Sequence, residues 1–167
     1  MKKKISVIWW IVAGVSIIFL IVLLTNNTED IGEKFPHMGN KHIDEINTPH
    51  APYNSNPPTS GPHVEYTAPW GISEEIIPDE VQVHNLEDGG VVIQYNPNKV
   101  GDDEIEQLEQ IVKSASGKSI LMAPRYDMDY YIALTAWRRL LSLDMVDETQ
   151  INAFIDAYAG KDNHSLI

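Results

Sequence analysis

The sequence predicts an α+β fold: a small mixed β-sheet domain with two packed helices and a long Pro-rich loop, behind a single N-terminal transmembrane helix. Three observations carry that expectation. Residues 5–24 form an apolar run without one charged side chain, residues 48–78 hold seven prolines, and residues 91–123 read as strand, helix, strand. A chain of 167 residues suits one such domain rather than two.

The N-terminal run comes first. Lys2, Lys3 and Lys4 precede Ile5 to Leu24, and a helix of that length spans roughly 30 Å, the thickness of a bilayer's hydrocarbon core. The lysines place the N-terminus on the cytoplasmic side, and Trp9 and Trp10 fall near the interface that aromatic rings favour. The run is longer than a signal peptide's apolar region, and Leu24-Thr25-Asn26-Asn27 offers no A-x-A-like cleavage site. The expectation is therefore an uncleaved single-pass anchor over 1–24 with the rest of the chain extracytoplasmic. Residues 25–47 read as a stalk, 48–160 as a globular ectodomain and 161–167 as a tail.

Composition narrows the chemistry. The chain has no cysteine, which excludes disulfides, thiolate metal sites and a thiol nucleophile. It carries 24 acidic against 12 basic residues, a net charge of -12, and this argues against nucleic acid as the partner, since phosphate affinity comes from Lys and Arg.

The Pro-rich stretch from Thr48 to Pro78 breaks any regular period, yet it contains Tyr53, Tyr66 and Trp70. It is thus expected to be an ordered loop with aromatic anchors. Val81 to Val83 reads as a short strand, Gly89-Gly90 as a turn and Val91 to Tyr95 as the clearest strand. Ile105, Leu108, Ile111, Val112 and Ala115 repeat at helical spacing behind an acidic start, and Gly117 follows. Ser119 to Ala123 is a second strand, so the unit is βαβ with parallel strands. Ile132, Leu134 and Ala136 alternate as a strand, after which Leu140 and Leu141 could open a helix. The last helix carries Ile151, Phe154, Ile155 and Tyr158 on one face, with Asp147 at its start and Gly160 past its end.

Several stretches resemble one family. Tyr53-Asn54-Ser55-Asn56-Pro57-Pro58-Thr59-Ser60-Gly61-Pro62-His63 is similar to a Y-x-x-x-P-P-T-S-G-P-H pattern, and Trp70-Gly71 to a W-G element. Val83-His84-Asn85-Leu86-Glu87 with Gly89-Gly90-Val91-Val92 is similar to V-H-N-L-E-H-G-G-V-V. Gly39 to Ile43 resembles a G-x-x-H-I element and Ala133 to Trp137 an A-L-T-A-W element. These patterns belong to the bacterial domain-of-unknown-function family 3105. The resemblance implies an exported or membrane-anchored domain and no established activity. The family pattern has a second histidine where this chain has Asp88.

Binding rather than turnover is the expected role. Five histidines, His37, His42, His50, His63 and His84, fall within 48 residues, and imidazole is the commonest metal ligand. His42, His63 and His84 with Asp88 are the candidate metal ligands; Glu87, Met122 or Met128 could add to them. Imidazole with thioether suits copper and imidazole with carboxylate suits zinc, so copper or zinc is the expected cofactor. The competing account has His63 and His84 hydrogen-bonded to loop carbonyls, and His37, His50 and His164 solvated. An envelope protein or wall polymer is the alternative partner, held by the Pro-rich loop and its aromatics. A hydrolase reading would use Ser60 as nucleophile beside His63 or His84, although no nucleophile-elbow pattern surrounds it.

Overall fold

The computed structural model describes residues 30–164. Six strands form one mixed sheet: β1 Glu33–Lys34, β2 Gly71–Ile72, β3 Val91–Tyr95, β4 Ile120–Pro124, β5 Ile132–Ala136 and β6 Arg139–Leu143, in the order β1-β6-β5-β3-β4-β2. β4 pairs parallel with both β3 and β2, while β3–β5, β5–β6 and β6–β1 are antiparallel. Three helices accompany it: α1 Asp79–Glu87, α2 Asp102–Ser114 and α3 Glu148–Tyr158.

The βαβ unit forms as the spacing requires. Asp102, Asp103 and Glu104 occupy the first turn of α2 and Lys113 its last, each sign favourable to the helix dipole at its end. The helix buries Leu108, Ile111 and Val112. In α3 the Asp147 carboxylate accepts the Gln150 backbone N–H at 3.0 Å, and Ile151, Phe154 and Ile155 turn inward.

Side chains alternate across a strand, and here both faces are covered. Val91 and Ile93 of β3, with Ile120 and Met122 of β4, join the buried residues of α2 and α3 in one apolar cluster. Val92 and Leu121 join a second cluster with Val81, Val83 and Leu86 of α1, and with Ile43, Val64, Ala68 and Trp137. Burial on two sides makes the central strands read as unbroken apolar runs.

The expected fold class is corrected in three respects. First, there are three helices among the described residues, not two. The segment read as a strand at Val81 to Val83 lies inside α1, which buries eight of its nine residues. A helix enclosed on nearly all sides shows no amphipathic period, and the alternation of two valines about Gln82 imitated a strand. Second, Leu140 and Leu141 belong to β6. Ala136 pairs with Arg139, so Trp137-Arg138 makes a two-residue hairpin turn with Arg138 at φ 63°. Third, among the described residues no helix is long and apolar enough to cross a membrane, which leaves the transmembrane helix of the expected fold unsupported; the run at 5–24 lies outside those residues.

Ile31 onward belongs to one compact unit. That unit takes in β1, from the segment read as a stalk, and Lys161 to His164, from the segment read as a tail.

Phe154 is fully buried and meets the Tyr158 ring edge-on at 4.7 Å between centroids. Phe154→Ala is expected to cost about 3–5 kcal/mol, seen as a lower urea midpoint with an unchanged slope.

Candidate metal centre

Three separate segments bring histidines to one place on the α1 side of the sheet. His42 and His63 are joined by an isolated parallel β-bridge. The Ile43 N–H donates to the His63 carbonyl at 2.8 Å, and the His63 N–H donates to that of Lys41 at 3.0 Å. Two short loop segments with no strand of their own are thereby fixed side by side. His84 comes from α1, and Glu87 follows it by three residues, one helical turn on the same face.

α1 is held firmly enough to serve as a platform. The Asn85 side chain accepts the Ala68 N–H and donates to the Ala68 carbonyl, both at 2.9 Å, which clamps the Pro-rich loop to the helix. The Gln94 amide of β3 donates to the Gln82 side chain. The buried Arg125 pairs with Asp79 in the first turn and donates to Asn56 Oδ1 at 3.0 Å. On the loop side, the Tyr53 hydroxyl donates to the Pro62 carbonyl at 2.6 Å. Gly61 has φ 130°, and a Cβ there would stand 3.0 Å from the Tyr53 ring.

The ring centroids of His42, His63 and His84 lie 4.8, 5.4 and 5.1 Å apart in pairs. One ligand atom from each, together with one from Glu87, fall within 4.8 Å of one another. Two of the rings approach Glu87 Oε2. His63 Nε2 stands 2.9 Å from it and His42 Nε2 3.8 Å. Glu87 and His63 are almost wholly buried, with side-chain exposures of 1% and 0%, whereas His42 is partly open.

The far nitrogens explain the ring orientations. His63 Nδ1 lies 2.8 Å from the Gly61 carbonyl, an acceptor only, so that nitrogen must carry the proton and donate. Neutral His63 then presents a bare Nε2 lone pair to the Glu87 carboxylate. Burial holds the His63 imidazole below its ordinary range, ahead of the opposing pull of its bond to Gly61 and of the Glu87 charge. A positive particle between Nε2 and Oε2, a proton or a metal ion, resolves the clash. His42 is oriented likewise, with Nδ1 3.3 Å from the exposed Glu65. An oxygen on the far nitrogen is the usual outer support of a metal-ligating imidazole. Two buried atoms at the group have no hydrogen-bond partner, Glu87 Oε1 and His84 Nδ1. A cleft of about 410 Å³, lined by His42, Ile43, Asp44, Glu65 and Tyr66, reaches the group from solvent.

Of the four residues expected as ligands, the fold therefore gathers His42, His63 and His84. Asp88 sits at the C-cap of α1, 3.6 Å from His84 Nε2, in an adjoining group with His164. Glu87 takes the central place. An H-x-x-E spacing would have pointed to it had the segment been read as helical. His164, expected in solvent, places Nε2 3.7 Å from Glu87 Oε2. His37 and His50 are half-buried away from the group: His37 packs edge-on to Trp137, and His50 bonds the Ala51 carbonyl. Met122 packs in the apolar cluster on the opposite side of the sheet, and Met128 is buried. Ser60 is fully buried, and its hydroxyl accepts the Met38 N–H at 3.2 Å, a structural use of the residue considered as a nucleophile. Tyr66 and Trp70 remain exposed on the Pro-rich loop.

A family model described as "Protein of unknown function (DUF3105)" matches residues 46–165. The match includes His63, His84, Glu87 and His164, and His42 precedes it. No curated protein and no solved structure matches the chain.

The hydrogen-bond pattern fixes a tautomer. At pH 7.5, nitrogen-resolved NMR of the imidazoles is expected to show His63 Nδ1 protonated; a bare Nδ1 would contradict the arrangement.

Proposed function

The chain belongs to the DUF3105 family, and we propose that this member binds a first-row divalent cation through His42, His63, His84 and Glu87. The observation that carries the reading is the buried 2.9 Å approach of His63 Nε2 to Glu87 Oε2. With Nδ1 protonated, neutral His63 and ionised Glu87 both present lone pairs there, and a cation satisfies both. The unpartnered Glu87 Oε1 and His84 Nδ1 supply further electron pairs at the same point.

The ligand set selects the ion. Three imidazoles and one carboxylate, without thiolate or thioether, suit zinc or copper(II) better than copper(I). Tetrahedral ligands at 2.0–2.1 Å from zinc lie roughly 3.4 Å apart; the group's separations, from 2.9 Å between His63 and Glu87 to at most 4.8 Å, bracket that value, so the widest pair closes and the narrowest opens on binding. The open His42 side gives the ion an entry path through the cleft beside Glu65 and Tyr66.

Zinc is expected to raise the melting temperature of the wild-type protein, and metal analysis after dialysis should find it retained. Glu87→Gln keeps the side chain's shape and removes its charge. In this variant the zinc-dependent shift should vanish while the metal-free protein melts no lower than wild type. An undiminished shift in both Glu87→Gln and His63→Ala would refute the site.

Ligating imidazoles must be unprotonated, so protons compete with the metal. Zinc affinity measured by competition with a chromophoric chelator should fall by roughly ten-fold or more between pH 7.5 and 5.5, the range in which histidine titrates. A flat profile would count against imidazole ligation.

A further inference from the structure

We propose a second cation position on the outer side of Glu87, formed by His84, Asp88 and His164. It rests on the reading of the inner group above, but its own ligands come from a different part of the chain. One ligand atom from each of the three residues lies within 4.8 Å of the others. His84 Nε2 and His164 Nε2 each stand 3.6 Å from Asp88 Oδ1. His164 Nε2 is also 3.7 Å from Glu87 Oε2, so this carboxylate borders both positions.

The C-terminal segment is built to deliver His164. The Asn163 N–H donates to the Glu87 carbonyl at 2.9 Å, its side-chain amide donates to that of Leu86 at 3.2 Å, and the Gly160 N–H donates to that of Gly89 at 2.8 Å. The first of these bonds satisfies a carbonyl that the end of α1 leaves free. Gly89 makes the approach possible. Its φ is 80°, and a Cβ there would stand 2.6 Å from the Lys161 backbone. Within the segment, Asp162 Oδ1 accepts both the backbone N–H of His164, at 2.9 Å, and its Nδ1–H, at 2.6 Å. Asp162 therefore holds the His164 ring with Nδ1 protonated and Nε2 free to ligate, as an outer carboxylate does for a metal-bound histidine.

His84 belongs to both groups. With two ions bound, the outer ion takes His84 through the Nε2 that faces Asp88, and the inner ion keeps His42, His63 and Glu87. Each ion then has three protein ligands, the number that leaves a zinc ion a coordination position for water or substrate. Ligands at half-exposed Asp88 and His164, with side-chain exposures of 36% and 48%, make the outer position the weaker of the two.

The test is zinc stoichiometry on the full chain, by titration calorimetry and metal analysis, for wild type, Asp88→Asn and His164→Ala. The proposal expects two ions in wild type, bound in a tight and a weak step, and one in each variant with the tight step unchanged. One ion in wild type with affinity unaltered by His164→Ala would overturn the second position and leave the inner site standing. One ion bound more weakly by His164→Ala would overturn it too, assigning His164 to the inner ion. No bound ion in wild type would overturn both.

Discussion

The contact on which the arrangement depends is the buried approach of His63 to Glu87. A carboxylate with 1% side-chain exposure forfeits its hydration, and an unsatisfied buried polar group costs about 1–3 kcal/mol, more when charged. Such a group persists only where its surroundings compensate it. Glu87 is met by His63 Nε2 at 2.9 Å, with the His42 and His164 Nε2 atoms within 4 Å. None of these three nitrogens lies on the same secondary-structure element as Glu87. Bringing them there constrains the loop bearing His42, the Pro-rich loop and the C-terminal segment at once.

The fold meets that constraint through α1 rather than through the sheet directly. Its apolar residues pack on Val92 and Leu121, which fixes the helix against the central strands. Its polar residues face neighbours that need hydrogen bonds. Gln82 meets Gln94, Asn85 meets both backbone groups of Ala68, and Asp79 meets the buried Arg125. A helix with so many polar residues enclosed is stable only when each finds a partner. Two atoms of the histidine–carboxylate group, Glu87 Oε1 and His84 Nδ1, have no partner.

Much of the α2 and α3 side was legible in the sequence. Helix α2 has one polar face and strands β3 and β4 are dense in β-branched and aliphatic residues, so period and composition agree. The three histidines were also legible, since each sits in a distinctive motif. The chemistry of α1 was hidden because nearly all of the helix is buried, and no period marks it. Reading Val81 to Val83 as a strand left Glu87 and Asp88 looking like adjacent side chains that point apart. In the helix they lie about 100° apart at its end, one turned toward His63 and the other toward His164. The role of His164 was beyond sequence reasoning, because 80 residues separate it from His84 and only the docking of its segment on the end of α1 brings them together.

The competing account, in which the histidines merely pin loops, explains half of each ring. His63 Nδ1 does bind the Gly61 carbonyl, and His164 Nδ1 binds Asp162. A neutral histidine used only for structure, with Nδ1 donating, would have its second nitrogen in solvent or on a donor. Here the second nitrogens of His42, His63 and His164 all turn to one carboxylate oxygen that has no hydrogen to give when ionised. Protonating the rings would satisfy it, but burial opposes charge on His63, and adjacent imidazolium rings would repel one another. A divalent ion beside His42 and His63 supplies the same positive charge without that repulsion and accepts their lone pairs directly. Given imidazoles anchored at Nδ1 and convergent at Nε2, a cation is the occupant that leaves the fewest of these atoms unpaired.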